Sequence, residues 1–192
     1  RIGICYVYGF SVEKDVSKAF KYYQKAANLG NPRGLNNVGI AYEEGIGVEK
    51  NVSKAYDYYK KGADAGSLTS INNIGYSYEN GIGVSKNESK AFEYYKKAAD
   101  SGLPLSIRNL GRLYENGIYV KRDYVKAIEF YEKAANLGYS NAYNNIGKCY
   151  ENGTGVEQSY SKAIEYYNKG AKLGDATSYF YLGFLYGKGV GV

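Results

Sequence analysis

Glycine recurs every 36 residues along this chain, at Gly3, Gly39, Gly75, Gly111, Gly147 and Gly183, with no insertion or deletion between them. The tyrosine three places on keeps the same step (Tyr6, Tyr42, Tyr78, Tyr114, Tyr150, Tyr186), as does the alanine of each "KA" pair (Ala19, Ala55, Ala91, Ala127, Ala163). An undisturbed period of this length restricts the fold more than any other feature. One unit cannot bury its own apolar face and has to stack on its neighbours, so units of constant length build a solenoid or an array.

Two helical stripes stand inside each unit. Ile71, Ile74, Gly75 and Tyr78 fall at i, i+3, i+4 and i+7, one face of a first helix. Ala91, Phe92, Tyr95, Ala98 and Ala99 form the broader apolar face of a second. Gly75, Ala91 and Ala98 are small enough to let two helix backbones approach, with tyrosines filling the space beside them. Gly81 and Gly102 suit the left-handed position after a helix. Asp15, Asn51, Asn87, Asp123 and Ser159 precede the second helices and are all good N-caps. Between the helices lies a "GIGV" loop whose first glycine is constant, whereas its second is Ser11 in the first unit and Tyr119 in the fourth. That contrast predicts a positive φ at the first glycine alone. The expected fold is all-α, a solenoid of 36-residue helix-loop-helix repeats, about five of them in a single domain over residues 1–192 and incomplete at both ends.

The pattern N-x-G-x-x-Y-E-N-G-x-G-V…KA-x-x-YY-KKAA-x-x-G resembles the Sel-one-like repeat (SLR) family, relatives of tetratricopeptide repeats, over essentially the whole chain. The resemblance implies a right-handed α/α superhelix whose first helices line a concave face. It also implies an adaptor or scaffold in protein complexes, the family's roles including membrane-protein degradation, control of cell-wall synthesis and bacterial contact with host cells. One secreted bacterial branch carries a disulfide-linked cysteine pair in each repeat, and this chain lacks those pairs.

Composition narrows the chemistry. With no His among 192 residues, the commonest general base and neutral metal ligand are missing. No Ser or Cys stands in a nucleophile context. "GKGVGV" at 187–192 lacks the Gly-Lys-Ser/Thr ending of a phosphate loop and is the sixth copy of the repeat loop. Cys5 and Cys149 share one place in their repeats, filled elsewhere by Ala41, Ser77, Leu113 and Leu185, and read as buried inert thiols. The expectation is therefore no enzyme, no catalytic residue, no metal site, no cofactor and no small-molecule substrate.

Net charge is +6, from 25 Lys+Arg against 19 Asp+Glu. A basic chain raises nucleic acid or an acidic membrane as partner. Yet the second-helix lysines follow an acid four places earlier (Asp57–Lys61, Glu93–Lys97, Glu129–Lys133, Glu165–Lys169), the spacing of a solvated helix face. Only Lys60–Lys61 and Lys121–Arg122 cluster, so the charge reads as solubility rather than nucleic-acid binding. No run of eighteen apolar residues is present, so no membrane insertion is expected. Two of the three Asn-x-Ser/Thr sequons, at Asn51 and Asn87, coincide with caps; the third is at Asn152. With few cysteines, this favours the cytoplasm, the lumen of the endoplasmic reticulum being the alternative. The 25 tyrosines read mainly as core filler at fixed repeat positions, with Tyr76, Tyr143, Tyr179 and Tyr181 standing apart.

The candidate site is the first-helix face opposite the apolar stripe. One column there is constant (Asn37, Asn73, Asn109, Asn145), and the next varies (Ile40, Tyr76, Arg112, Lys148). An amide offers both donor and acceptor, matching an extended peptide backbone, and the variable neighbours Tyr76, Arg112 and Lys148 would then read side chains. The same constant amide equally suits a tie between repeats. The leading expectation is a protein–protein interaction scaffold or adaptor that holds a protein segment. The alternatives are a structural subunit or spacer held end-on or by its convex side, and a regulatory region of a larger enzyme. The last helix is apolar (Tyr179, Phe180, Tyr181, Leu182, Phe184, Leu185), the first residue is Arg and the text stops in a loop. The expectation is that more repeats follow, or that this end docks on a partner subunit.

Overall fold

The computed structural model describes residues 15–190; Gly3, Cys5, Tyr6, Ser11 and the last two residues of "GKGVGV" lie outside the described residues. Ten helices stand among those described. In chain order they are α1 Val16–Asn28, α2 Pro32–Glu44, α3 Val52–Asp64, α4 Leu68–Asn80, α5 Glu88–Asp100, α6 Pro104–Asn116, α7 Tyr124–Asn136, α8 Ser140–Asn152, α9 Tyr160–Lys172 and α10 Ala176–Gly187. Even-numbered helices are first helices of a repeat, odd-numbered ones second helices. The chain falls into two compact units, residues 1–101 with α1–α5 and residues 102–192 with α6–α10. In each unit every helix packs on the next in sequence, and in the second unit α8 also touches α10.

The second helices start where their caps predict. The side chains of Asp15, Asn51, Asn87, Asp123 and Ser159 each accept a hydrogen bond from the backbone N–H three residues on, which satisfies one of the unpaired donors of the first turn. First helices end on Gly45, Gly81, Gly117 and Gly153 in the left-handed conformation.

The loop departs from expectation. Positive φ is adopted at the second loop glycine as well as the first, at Gly47 (69°), Gly83 (71°) and Gly155 (73°). Tyr119 holds the same conformation (φ 63°) and is the one non-glycine residue to do so among those described. The second loop position therefore also takes the left-handed conformation, with a tyrosine in the glycine's place in one repeat. At Gly47 and Gly83 a Cβ would also strike the backbone carbonyl of Val16 or Val52 on the preceding second helix, so the glycine lets two repeats close on each other.

Within a repeat the two helices lock through one arrangement used four times. Tyr59, Tyr95, Tyr131 and Tyr167 are fully buried, and each ring lies on a glycine of the partner helix. A Cβ on Gly39, Gly75, Gly111 or Gly147 would come within 2.5 to 2.9 Å of that ring. Each hydroxyl donates to a glutamate one turn beyond the glycine: Tyr59 to Glu43 (2.6 Å), Tyr95 to Glu79 (2.8 Å), Tyr131 to Glu115 (2.5 Å) and Tyr167 to Glu151 (2.6 Å). Ring burial supplies the area and the hydroxyl bond removes the polar penalty.

The other tyrosine column is only half-buried. Tyr42, Tyr78, Tyr114 and Tyr150 stack on Tyr58, Tyr94, Phe130 and Tyr166, with ring centroids 5.4 to 5.7 Å apart. Lys54, Lys90, Lys126 and Lys162 lie over their outer faces at 4.5 to 5.4 Å. These tyrosines close the rim of the core under a cationic lid rather than filling its centre.

Candidate functional site

The first helices carry both proposed columns, because a stripe buried on its own second helix leaves the opposite side for other work. In the first unit Asn37 on α2 and Asn73 on α4 are half-buried and Tyr76 is 45% exposed. In the second, Asn109 is buried, Asn145 and Arg112 are half-buried, and Lys148 is exposed. Within each unit these residues lie on first helices, the amides buried or half-buried, Arg112 half-buried, and Tyr76 and Lys148 exposed.

The amides are not idle. Asn73 Nδ2 donates to Asn36 Oδ1 of the preceding repeat at 3.0 Å, and Ser70 Oγ donates to the same oxygen at 3.1 Å. Asn72 Nδ2 reaches Asn73 Oδ1 at 3.4 Å. In the second unit Arg108 occupies the place of Asn36 and donates through Nε to Asn145 Oδ1 at 3.3 Å, and through Nη1 to Asn109 Oδ1 at 3.3 Å. The constant column therefore works in both senses, as donor to an asparagine and as acceptor from an arginine. An amide tolerates that exchange of partner because it carries two donor hydrogens and two acceptor pairs. One tie occupies one of those four positions.

Sequence reasoning missed the neighbouring column, which is the more deeply buried. Asn36, Asn72 and Asn144 are 4 to 7% exposed. Asn144 Nδ2 donates to Asp175 Oδ2 at 2.7 Å, and Ser178 Oγ lies 2.6 Å from Asn144 Oδ1 and 2.8 Å from Asp175 Oδ2. Burial works to raise the Asp175 carboxyl, but the hydrogen bonds from Asn144 and Ser178 outweigh it and hold it below the ordinary aspartate value. The available signal was the "NN" dipeptide at 36–37, 72–73 and 144–145, where the first asparagine also repeats.

The columns change character at α10. Tyr181 stands where the Asn column would continue and Phe184 where the variable column would. Tyr181 stacks on Tyr167 (5.0 Å between centroids), and Lys148 Nζ lies over its ring at 4.7 Å. A cleft of about 260 Å³ opens there, lined by Lys148, Glu151, Asn152, Phe180, Tyr181 and Phe184. Asn80 and Asn116, on the outer edge of the same face, turn back to donate to the Tyr76 and Arg112 carbonyls, each at 2.9 Å.

The lysines behave differently from their spacing. Of the four acid-before-base pairs, Glu165–Lys169 alone closes to an ion pair among the described residues, at 2.7 Å. Lys61 instead lies over the Tyr58 ring at 5.0 Å. Exposed pairs gain too little to hold two long side chains in one geometry, and an adjacent aromatic face competes for the ammonium. Cys149 is buried and unbridged, and burial pushes its thiol up to about 12, which leaves no reactive thiolate at neutral pH. Among the described residues no cluster of His, Cys, Asp and Glu could hold a metal ion, and no helix is long and apolar enough to cross a membrane.

Known structures share this architecture. A Sel1 repeat protein from Oxalobacter formigenes is 37% identical with a TM-score of 0.81, over 92% of this chain and 72% of that one. The protective antigen c5321 of uropathogenic Escherichia coli, described as displaying an SLR fold, is 34% identical with a TM-score of 0.69, over 98% of this chain and 40% of its own. The immunity protein Pa5087 from Pseudomonas aeruginosa is 26% identical with a TM-score of 0.69, over 92% of this chain and 68% of that one. No curated protein matches the sequence. The fold class is thus the all-α helical-repeat solenoid. The Sel1 repeat model itself matches residues 1–31, 32–67, 69–103, 104–139, 140–175 and 176–192, the middle four of which are the helix pairs that the glycine–tyrosine sockets define, and the chain belongs to the Sel1 repeat family.

Proposed function

We propose that this chain is an interaction scaffold that holds an extended or irregular protein segment on its first-helix face. Sel1 repeat proteins are in general protein-interaction scaffolds, typically without enzymatic activity. The observation that supports the finer reading is the gradient on that face. Amides that repeat on four successive first helices sit buried or half-buried beside side chains that differ from helix to helix and, at Tyr76 and Lys148, stand exposed. Packing fixes the identity of a covered residue, whereas an exposed and varied one is left to a partner. The half-buried amides Asn37, Asn73 and Asn145 then meet the partner's backbone, beside the ties that Asn73 and Asn145 make within the fold. Tyr76, Arg112 and Lys148 select its side chains. The cleft beside Lys148 has room for one large side chain.

The test separates holding from tying. Proteins captured by this chain are fragmented, the retained segment is synthesised, and its affinity is measured for the parent, Tyr76→Ala, Lys148→Ala and Asn73→Ala. The two exposed substitutions lower affinity by about tenfold or more while the melting temperature stays put. Asn73→Ala lowers both. Undiminished affinity in Tyr76→Ala and Lys148→Ala removes the first-helix face from the contact.

A further inference from the structure

One loop side chain is held where the other repeats have none. Tyr119 takes the left-handed conformation (φ 63°) that its counterparts Gly47, Gly83 and Gly155 take as glycines. An L-residue is strained there and glycine is not, so the fourth repeat carries a backbone penalty that its siblings avoid. Burial of the ring does not offset that penalty, since Tyr119 is 55% exposed. Strain that packing does not require marks a position kept for contact with something else. The same loop departs in charge. Lys121 and Arg122 stand where the other repeats have Glu49–Lys50, Ser85–Lys86 and Glu157–Gln158. The first of those pairs cancels, Lys86 is held by Glu88 at 3.0 Å, and the third is acidic. Lys121 and Arg122 are both exposed and close no ion pair among the described residues. Arg122 leans on Tyr124 instead, its guanidinium carbon 5.9 Å from the ring centre, and the Asp123 carboxylate is engaged as the cap of α7. Both ends of the loop are pinned, Ile118 N–H donating to the Leu113 carbonyl and Asp123 N–H to the Tyr114 carbonyl, each at 3.0 Å.

We propose that this loop of the fourth repeat, residues 119–122, is a docking site for an acidic protein segment. Carboxylates of the segment meet Lys121 and Arg122, and one of its apolar side chains lies against the Tyr119 ring. Charge complementarity sets the sign of the partner, and the short reach of the patch sets its class. A nucleic-acid backbone or an anionic membrane calls for cations that continue beyond two residues. Here they do not continue. A Cβ on Gly155 would lie 2.6 Å from Tyr124 Cβ, so the next loop of the same unit abuts this one, and it brings Glu157. Val125, 59% exposed where other second helices have Ser53, Ser89 and Ser161, adds apolar surface on the first turn of α7. Because the ends of the loop are already fixed, little further ordering opposes binding. The loop is separate from the first-helix columns, and its test is independent of theirs.

The probe is a fluorescein-labelled synthetic peptide of aspartates and glutamates around a central phenylalanine, beside the same peptide with asparagine and glutamine in place of the acids. Binding to the whole chain at low salt is followed by fluorescence anisotropy for the parent, Tyr119→Gly and Lys121→Glu. Both substitutions install the residue that the second repeat has at that place, Gly47 or Glu49, so the loop remains one the fold already uses. The expected result is uptake of the acidic peptide alone, with a loss of about tenfold or more in each variant. The melting temperature of Tyr119→Gly stays level or rises, since the left-handed strain is relieved. No uptake of the acidic peptide, equal uptake of its amide form, or undiminished binding by Tyr119→Gly overturns the proposal. A lower melting temperature in Tyr119→Gly does so as well, because the ring would then be kept for packing. A single-stranded oligothymidylate or phosphatidylserine vesicles supply the remaining arm: either one bound more tightly than the peptide, and released by Lys121→Glu, would assign the cations to phosphate and overturn the protein segment.

Discussion

The glycine–tyrosine contact is the residue on which each repeat turns, and its two sides make separable predictions. Gly75→Ala puts a methyl 2.9 Å from the Tyr95 ring and 3.3 Å from the Ala91 carbonyl, both fixed inside the core. Overpacking of this kind costs about 1–3 kcal/mol, to be read as a shifted denaturant midpoint. The loop glycines give a second comparison. At Gly66 (φ 89°) a Cβ meets nothing within 4 Å, so Gly66→Ala incurs only the backbone strain of about 1 kcal/mol. At Gly83 the same substitution adds a collision with the Val52 carbonyl, so Gly83→Ala is expected to be the more damaging of the pair. Equal losses in the two variants would mean that repeat closure does not depend on that approach. The sequence displayed the first of these glycine roles, since a column without exception announces itself. It concealed the second, because Tyr119 shows that a side chain can be forced into the left-handed region, and the strain of doing so leaves no mark in the text.

Helix ends and helix faces differ in how much the sequence reveals of them. The five caps of the second helices were legible because a cap is local, a side chain bonding a backbone three residues away. The ties between first helices join residues 34 to 37 apart, and no local rule assigns Asn36 to Ser70 and Asn73 rather than to solvent. Hence the asparagine columns can be read from the sequence, but not the extent to which they hold repeats together. The first helices offer an engineering check on capping. Asn31, Ser67 and Asp175 cap α2, α4 and α10 through their side chains, while Tyr139 caps α8 with no side-chain bond. Tyr139→Asp supplies the missing acceptor on a backbone its siblings already share, and a gain of up to about 1 kcal/mol is expected in chemical denaturation. Asp175 does more than cap, since Asn144 from the preceding first helix also donates to it. Its carboxyl is held below the usual value, so it stabilises the fold above the unfolded aspartate pKa and loses that effect as pH falls through the folded one. Asp175→Asn should flatten the acid limb of the stability curve; an unchanged limb would remove Asp175 as a contributor.

At the scale of the whole chain, repetition turns a modest linkage into a steep one. Tyr59, Tyr131 and Tyr167 are raised well above the ordinary tyrosine value, first by burial and then by the glutamate each hydroxyl faces. The folded state therefore keeps protons that the unfolded chain releases near pH 10, and raising the pH favours unfolding. Below the unfolded pKa the contribution is complete. Above it, each such tyrosine removes about 1.4 kcal/mol of stability per pH unit until its folded pKa is reached, and three of them acting together exceed what a domain of ordinary stability can absorb over a few units. Alkaline titration should accordingly show tyrosinate absorbance appearing in two stages, the second in step with the loss of helical circular dichroism. The triple variant Tyr59→Phe, Tyr131→Phe, Tyr167→Phe is expected to be less stable than the parent at neutral pH, having lost three hydroxyl–carboxylate bonds, and to lose stability more slowly above pH 10, so that the two curves converge. Curves that fall in parallel would place the alkaline sensitivity outside the sockets. Convergence would show that the tyrosine–glutamate bond inside each of these repeats also links its folding to the ionisation of its own tyrosine.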